Sequence, residues 1–304
     1  MFFFINCFAI NLILASAINK PFKKPFKNQL LFNDFMNKID DLRKRLIRKT
    51  RDRVEEKYSG EEEHIIRAVN ALQDLDEIFN LLSEHCREWY AAHFPELDRT
   101  VQNPEIFLKL VYFIGEKEKF SEKAMEELVK EPATAKLILE KANKSMGSKI
   151  PEQAFAEIKL LALNALNIKD QRGSLEKFIA EEMQKKSPNF SQICGSTLGA
   201  KMLKEAGSFR RLALMPSSTI QILGAKKAFF RHVKDPRAKT PKYGLLYQHP
   251  MVKQVSMNKK GRMARSLAGK ISIAVRTDFF SKKEVAIELQ KGLEERTKEL
   301  QKTK

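Results

Sequence analysis

The sequence predicts an all-α protein in which a long antiparallel pair of helices, a coiled-coil arm, carries a compact helical domain. Two well-separated stretches repeat apolar residues every seven positions. Prolines fall between those stretches and not inside them. No segment alternates apolar and polar residues over the length of a strand. The 304 residues suffice for one large domain or two modest ones, so a core needs no disulfides or metals.

Residues 1–35 precede the regular pattern. Met1 to Ile18 is almost wholly apolar and ends in Ala15-Ser16-Ala17, like a cleavage site, yet the first basic residue is Lys20 and no positive n-region precedes Phe2. The expectation is an N-terminal extension upstream of a natural start at Met36, with a signal or membrane anchor as the alternative. From 36 to 62, Met36, Ile39, Leu42, Leu46 and Ile47 lie at helical spacing amid dense charge, predicting an exposed amphipathic helix.

The first seam then opens. Ile65, Leu72, Phe79 and Cys86 fall seven apart, with Ala68, Leu75, Leu82 and Trp89 at the complementary positions. A helix from Glu62 to about Ala92 would run roughly 45 Å at 1.5 Å per residue, too long to be surrounded within a small domain, so it must lie against another helix. The partner is predicted at 151–186, opened by Pro151 at a first-turn position. There Ala154, Leu161, Ile168 and Leu175 alternate with Ile158, Ala165, Arg172 and Ile179. Pro95 breaks the first helix, and 104–146 read as short helices forming the tip, with Gly115 as a break. Ser187-Pro188 ends the second arm. The predicted organisation is thus 36–188 for the coiled-coil and dimerisation domain with its helical tip, 189–280 for the compact domain, and 281–304 for a charged, frayed C-terminal tail.

Charge locates function. The net charge is +18, and residues 201–280 hold 18 Lys and Arg against 3 Asp and Glu, whereas 1–200 are nearly balanced. So local an excess points to a polyanionic partner, nucleic acid or an anionic membrane surface. The three cysteines, Cys7, Cys86 and Cys194, are too scattered for a disulfide framework or a zinc module.

Other chemistry finds little support. Gly195-Ser-Thr-Leu-Gly199-Ala-Lys201 lacks the spacing of a phosphate loop and reads as small residues for helix packing. His85, Cys86 and His93 fit no ligand spacing. Ser217, Ser218, His232 and Asp235 lack the strand–turn–helix setting of a nucleophile, and Pro216 to Thr219 reads as a helix cap. No catalytic residue, metal site or cofactor is predicted.

The basic stretch is different in kind. Gly224-Ala225-Lys226-Lys227, Ala228-Phe-Phe-Arg231-His232 and Gly244-Leu-Leu-Tyr-Gln248-His249-Pro250 are followed by Arg262, Arg265 and Lys270. On a helix Arg262, Arg265 and Gly269 share one face, where two cations and a small residue admit an RNA backbone. Arg and Lys hold phosphate, while Gln and His serve unpaired bases, a combination that suits RNA better than membrane.

Pro216 through His232, with Tyr243 to Pro250, resembles the Nop domain of the C/D-box RNP core proteins, archaeal type. Asn80 to Leu97 resembles their coiled-coil segment. The resemblance implies a scaffold of 2′-O-methylation guide RNPs. Its Nop domain would clamp a kink-turn of a C/D-box guide RNA already held by a small ribosomal-protein-like kink-turn binder, and its coiled coil would self-associate. The RNA and RNP contacts would be Gly224, Ala225, Lys226, Lys227, Arg231, Gln248, His249, Arg262, Arg265 and Lys270. The association seam would be Ile65, Leu72, Leu75, Phe79, Leu82, Leu161, Ile168 and Leu175. The family's Gly-Ala-Glu-Lys signature carries Lys226 in place of Glu, and its Ala-Leu-Phe-Arg signature carries Phe229 in place of Leu. Relatives also hold fibrillarin through a domain before the coiled coil, which is expected to be missing here, so fibrillarin is a partner only if docked otherwise. The alternatives are a spliceosomal-type relative on a small nuclear RNA and a divergent RNP-binding paralogue that recruits no methyltransferase. Localisation would be cytoplasmic in an archaeal-type cell and nucleolar in a eukaryote, with no membrane partner.

Overall fold

The computed structural model describes residues 29–58, 60–129, 131–235 and 237–302, with the backbone alone at 29–36, 53, 55–58, 61 and 126. The expectations for residues 1–28 lie outside the described residues. The chain divides into two compact units between residues 59 and 60.

Among its described residues the first unit holds one helix, α1 (Gln29–Tyr58), which includes residues before the start expected at Met36. Ile39, Leu42, Leu46, Ile47 and Val54 are exposed on it, as an amphipathic helix without a packed face would show.

In the second unit α2 (Glu61–Tyr90) lies along α7 (Glu152–Lys186). Their direction is antiparallel, as two cross-links show: Lys186 Nζ stands 3.7 Å from Glu62, while Arg172 bridges Asp76 further along. The heptad pattern explains the pairing, because Ile65, Leu72, Phe79 and Cys86 are buried against Ile158, Ala165 and Ile179. The complementary row fares less well. Leu75, Leu82, Leu161, Ile168 and Leu175 are half-buried and Trp89 is exposed, because α7 turns Ala162 and Met183 inward instead. Arg172, a cation on the predicted seam, is kept there by Asp76 and by Glu176 at 2.9 Å, which hold its guanidinium above its usual range.

Between the two arms run α3 (Pro95–Thr100), α4 (Pro104–Phe113), α5 (Glu122–Leu128) and α6 (Pro132–Asn143). They close a second core around Tyr90, Phe94, Leu97, Phe107, Met125 and Ile138. Three of the four start on or beside proline, whose missing N–H is harmless in a first turn. His93 ties this tip to its loops. Its Nδ1 lies 3.1 Å from Ser148 O, and its Nε2 accepts from Lys117 N at 3.0 Å. Cys86 lies buried in this core, its thiol pushed up to about 12 by desolvation.

The remainder is built from α8 (Pro188–Cys194), α9 (Ser196–Ala206), α10 (Phe209–Leu214), α11 (Ser217–Gln221), α12 (Lys226–Lys234), α13 (Pro250–Lys253), α14 (Lys260–Arg276), a π-helical turn Thr277–Ser281 and α15 (Ala286–Lys302). Its core gathers Phe190, Met202, Leu203, Leu212, Ile220, Met263, Leu267 and Ile271, and it reaches the near ends of α2 and α7 through Ile65, Val69 and Met183. At Gly199 a Cβ would stand 3.0 Å from Met183 Cε and 3.2 Å from Phe190, so this glycine serves close helix packing.

The frayed tail expected at 281–304 is corrected: α15 buries Ala286, Leu289, Leu293, Thr297 and Leu300 against α14 and α8. A polar clip fixes its start. Asn189 Oδ1 accepts from Val285 N at 2.8 Å and Ala286 N at 2.9 Å, while Asp278 accepts from Asn189 Nδ2 at 2.6 Å and Phe190 N at 2.8 Å. Burial keeps the Asp278 carboxyl above the usual carboxylate range despite those donors. Among the described residues there is no strand, and no helix is long and apolar enough to cross a membrane.

Candidate nucleic-acid interface

The cationic stretch is organised around one turn. The short α11 packs on α14 through buried Ile220 and is followed by a turn that closes at Gly224, whose φ of +84° favours glycine. A Cβ there would also approach Leu245 Cγ to 2.6 Å. The expected side-chain cap of α11 is not present. Pro216 stands at the N-cap, and its carbonyl accepts from Thr219 N at 2.9 Å and Ile220 N at 3.1 Å.

The chain leaves along α12 and returns beside the turn. Gly244 N donates to Gln221 O at 3.0 Å, Leu245 N to Leu223 O at 2.8 Å, and Gln221 Nε2 to Lys242 O at 2.7 Å. Only glycine fits at 244, since a Cβ would sit 1.9 Å from Leu223 O. These bonds hold Ala225 at the N-cap of α12 next to the Tyr243–Tyr247 segment.

That segment shows groups the sequence reading missed. The rings of Tyr243 and Tyr247 stack at 5.1 Å and 19°, and Lys260 Nζ stands 4.7 Å from the Tyr247 ring centre. Lys201 Nζ donates to Gln248 Oε1 at 3.4 Å. Lys242 lies over the first turn of α14, 3.5 Å from where a Gly261 Cβ would be. Two tyrosines four apart, after Lys242, were a visible signal, but Lys201 comes from another helix and carried none.

The individual residues separate. Lys226, Lys227 and Arg231 are exposed on α12, which buries no residue of its own and leaves Phe229 and Phe230 in solvent. Arg262 and Arg265 are exposed on α14, whose first turn holds no acid, and Gly269 between them and Ile273 has nothing within 4 Å of its Cβ position. Exposed Gln248 completes the set. Two expected contacts are corrected. His249 is buried: it accepts from Met251 N at 3.3 Å and its Nε2 lies 3.1 Å from Ile193 O, so it caps α13 with both nitrogens occupied. Desolvation lowers its pKa, favouring the neutral ring that this pairing requires. Lys270 is half-buried against α15, with Nζ 3.3 Å from the Cβ position of Gly292, away from the Arg262 face.

Electrostatically the face keeps its excess. Of the three acids between 201 and 280, Glu205 lies with Lys226, Asp235 accepts from Arg237 N at 3.0 Å, and Asp278 is buried in the polar clip. The Lys226 ammonium is 2.8 Å from Glu205 Oε2, a buried oxygen with no aligned hydrogen-bond donor, so the contact is ionic and not a hydrogen bond.

Fold and site together define an all-helical protein with a cationic, aromatic-bearing surface of the kind that receives a phosphate backbone. Residues 71–299 match the family model described as Nop, snoRNA binding domain, fibrillarin, and the chain belongs to the Nop family. It is 32% identical over 270 residues to an uncharacterised NOP5 family protein of Methanocaldococcus jannaschii, covering 88% of this chain and 64% of that one. It is 36% identical over 238 residues to nucleolar protein 56 of Homo sapiens, covering 76% of this chain and 40% of the relative. The chain therefore spans between two fifths and two thirds of the length of these relatives. A solved fibrillarin/Nop5p complex includes a chain similar at a TM-score of 0.46 and 23% identity, covering 93% of this chain and 88% of that one.

Proposed function

We propose that the protein is a non-catalytic scaffold of C/D-box guide-RNA particles, binding kink-turn RNA together with a ribosomal-protein-like kink-turn binder and supporting 2′-O-methylation. The observations that support this are the exposure of Lys226, Lys227 and Arg231 on α12 and of Arg262 and Arg265 on α14, with Lys260 over the stacked Tyr243–Tyr247 pair that follows the α11–α12 turn. Membership of the Nop family supports it. Cations would hold phosphates and fix register, while Tyr247 and Gln248 would meet unpaired bases.

In this reading 189–280, joined by the docked α15, is the RNA-facing domain and 36–188 the association domain. The proposed seam needs revision, because Ile65, Leu72 and Phe79 are used inside the chain. Self-association would instead use exposed Ile78, Leu81 and Trp89, which share one face of α2 at helical spacing.

The test is binding of the purified chain to a kink-turn RNA with and without its small protein partner. Tight binding that requires both is expected; equal binding to any RNA of the same length would refute the proposal.

A further inference from the structure

The near-balance of charge over residues 1–200 conceals one strongly basic helix segment. From Arg43 to Arg51 six of nine residues are cationic, namely Arg43, Lys44, Arg45, Arg48, Lys49 and Arg51, and none is acidic. All six are exposed on α1, in the unit that lies before Gly60. An ordinary solvated helix mixes signs so that residues four apart attract. Here Lys44 faces Arg48 and Arg45 faces Lys49 at that spacing, and Arg45–Arg48 and Arg48–Arg51 repeat the conflict at three; Asp40, Asp41 and Asp52 face Lys44, Arg45 and Arg48 at four and offset only part of it. A polyanion relieves the excess that remains.

We infer that Arg43–Arg51 is a second RNA-binding site, holding the phosphate backbone of an RNA double helix without regard to sequence. This rests on the reading of the chain as an RNA-binding scaffold. Successive residues turn by about 100° at 3.6 per turn, so the six cations span about two thirds of the helix circumference, with Ile47 and Val54 beside Arg43 inside that span and Leu42 and Leu46 on the remaining arc. Charge spread so widely suits two phosphate strands flanking a groove, whereas a lipid surface presents charge on one side only. From Arg43 to Arg51 the helix advances about 12 Å, enough to meet several phosphates. Because α1 and the α14 face belong to one chain, a particle carrying both a kink and a plain helical stem would be gripped at two points, and each contact would raise the effective concentration of the other.

The experiment uses the full chain and a fully paired RNA duplex without a kink. Arg43→Gln, Arg45→Gln, Arg48→Gln and Lys49→Gln together keep helix-forming side chains and remove four charges. The quadruple variant is expected to bind the duplex at least 10-fold more weakly at low salt. The slope of log K against log salt should become shallower by about three to four, at about 0.9 per lost phosphate contact. A charge-keeping variant, Arg43→Lys, Arg45→Lys and Arg48→Lys, should bind like the parent, which separates charge loss from misfolding. The effect of Arg262→Ala with Arg265→Ala, measured on the preformed kink-turn complex, tests the other reading by itself. An unchanged duplex slope in the quadruple variant would overturn the inference. So would loss of binding to phosphatidylcholine vesicles containing phosphatidylserine while duplex binding stays intact, which would make α1 a membrane-surface helix.

Discussion

Gly244 is where the folding of the interface can be separated from its chemistry. In Gly244→Ala the new methyl would sit 1.9 Å from Leu223 O and 2.7 Å from Ile222 C, both backbone atoms that cannot swing aside as a side chain could. The two segments must part, breaking Gly244 N–Gln221 O and Leu245 N–Leu223 O. Each such bond contributes a net of about 1 kcal/mol, so the loss is about 2 kcal/mol before strain. For a cooperative unit spanning residues 60–304 that is about 4–8 °C in Tm. The separation also carries the Tyr243–Tyr247 stack away from the α11–α12 turn, so binding to the kink-turn complex should fall about 10-fold even below the melting range. Gly261→Ala is the control, because its Cβ would meet only Lys242 side-chain atoms at 3.5 Å or more and should change neither quantity. Circular dichroism melts and a binding isotherm on both variants suffice. A Gly244→Ala protein that melts with the parent and binds normally would refute the view that this backbone ladder positions the face.

Other outcomes follow from the same geometry. Gly269→Ala, with open space at its Cβ, should raise stability by about 0.5–1 kcal/mol while weakening RNA binding, seen by comparing melts with affinities. Leu293→Ala in α15 should cost about 3 kcal/mol in urea unfolding, which a frayed tail would not. His249 is kept neutral in the fold, its pKa depressed from 6.5, so its contribution is full above pH 6.5 and lost as pH falls. His249→Ala should therefore destabilise by about 1–2 kcal/mol at pH 7.5 and flatten the acid limb of the stability–pH curve below pH 6.5. Leu81→Glu with Trp89→Arg should turn any dimer into monomer in light scattering while leaving Tm within about 2 °C, since both side chains are exposed.

The helix pair was legible because a seven-residue repeat has one inexpensive solution, a neighbour of the same period. Its details were not: Trp89 and Arg172 both fall on predicted seam rows, yet one is exposed and the other ion-paired, because Asp76 of the facing helix and Glu176 one turn on meet Arg172. The tail was misread although Ala286, Leu289, Leu293 and Leu300 recur at helical spacing, because dense charge on the other faces obscured a narrow apolar stripe. At the interface, Arg262, Arg265 and Gly269 could be placed from helical geometry alone. Gln248 and His249 could not, because a single turn sends the first into solvent and the second inward to cap α13. Lys201 and Lys260 reach the face through tertiary contacts 47 and 13 residues long, beyond any local pattern. The pairing of Lys226 with Glu205 likewise joins two helices, and no property of either residue announced it.

In the proposed scaffold the cationic face would receive the bent ribonucleoprotein. Its most direct test is a salt titration of binding to the preformed kink-turn RNA–protein complex, comparing the parent with Arg262→Ala plus Arg265→Ala. Loss of two phosphate contacts predicts about 10-fold or greater weakening and a log–log salt slope shallower by about two. Identical affinity and slope for the two proteins would contradict it.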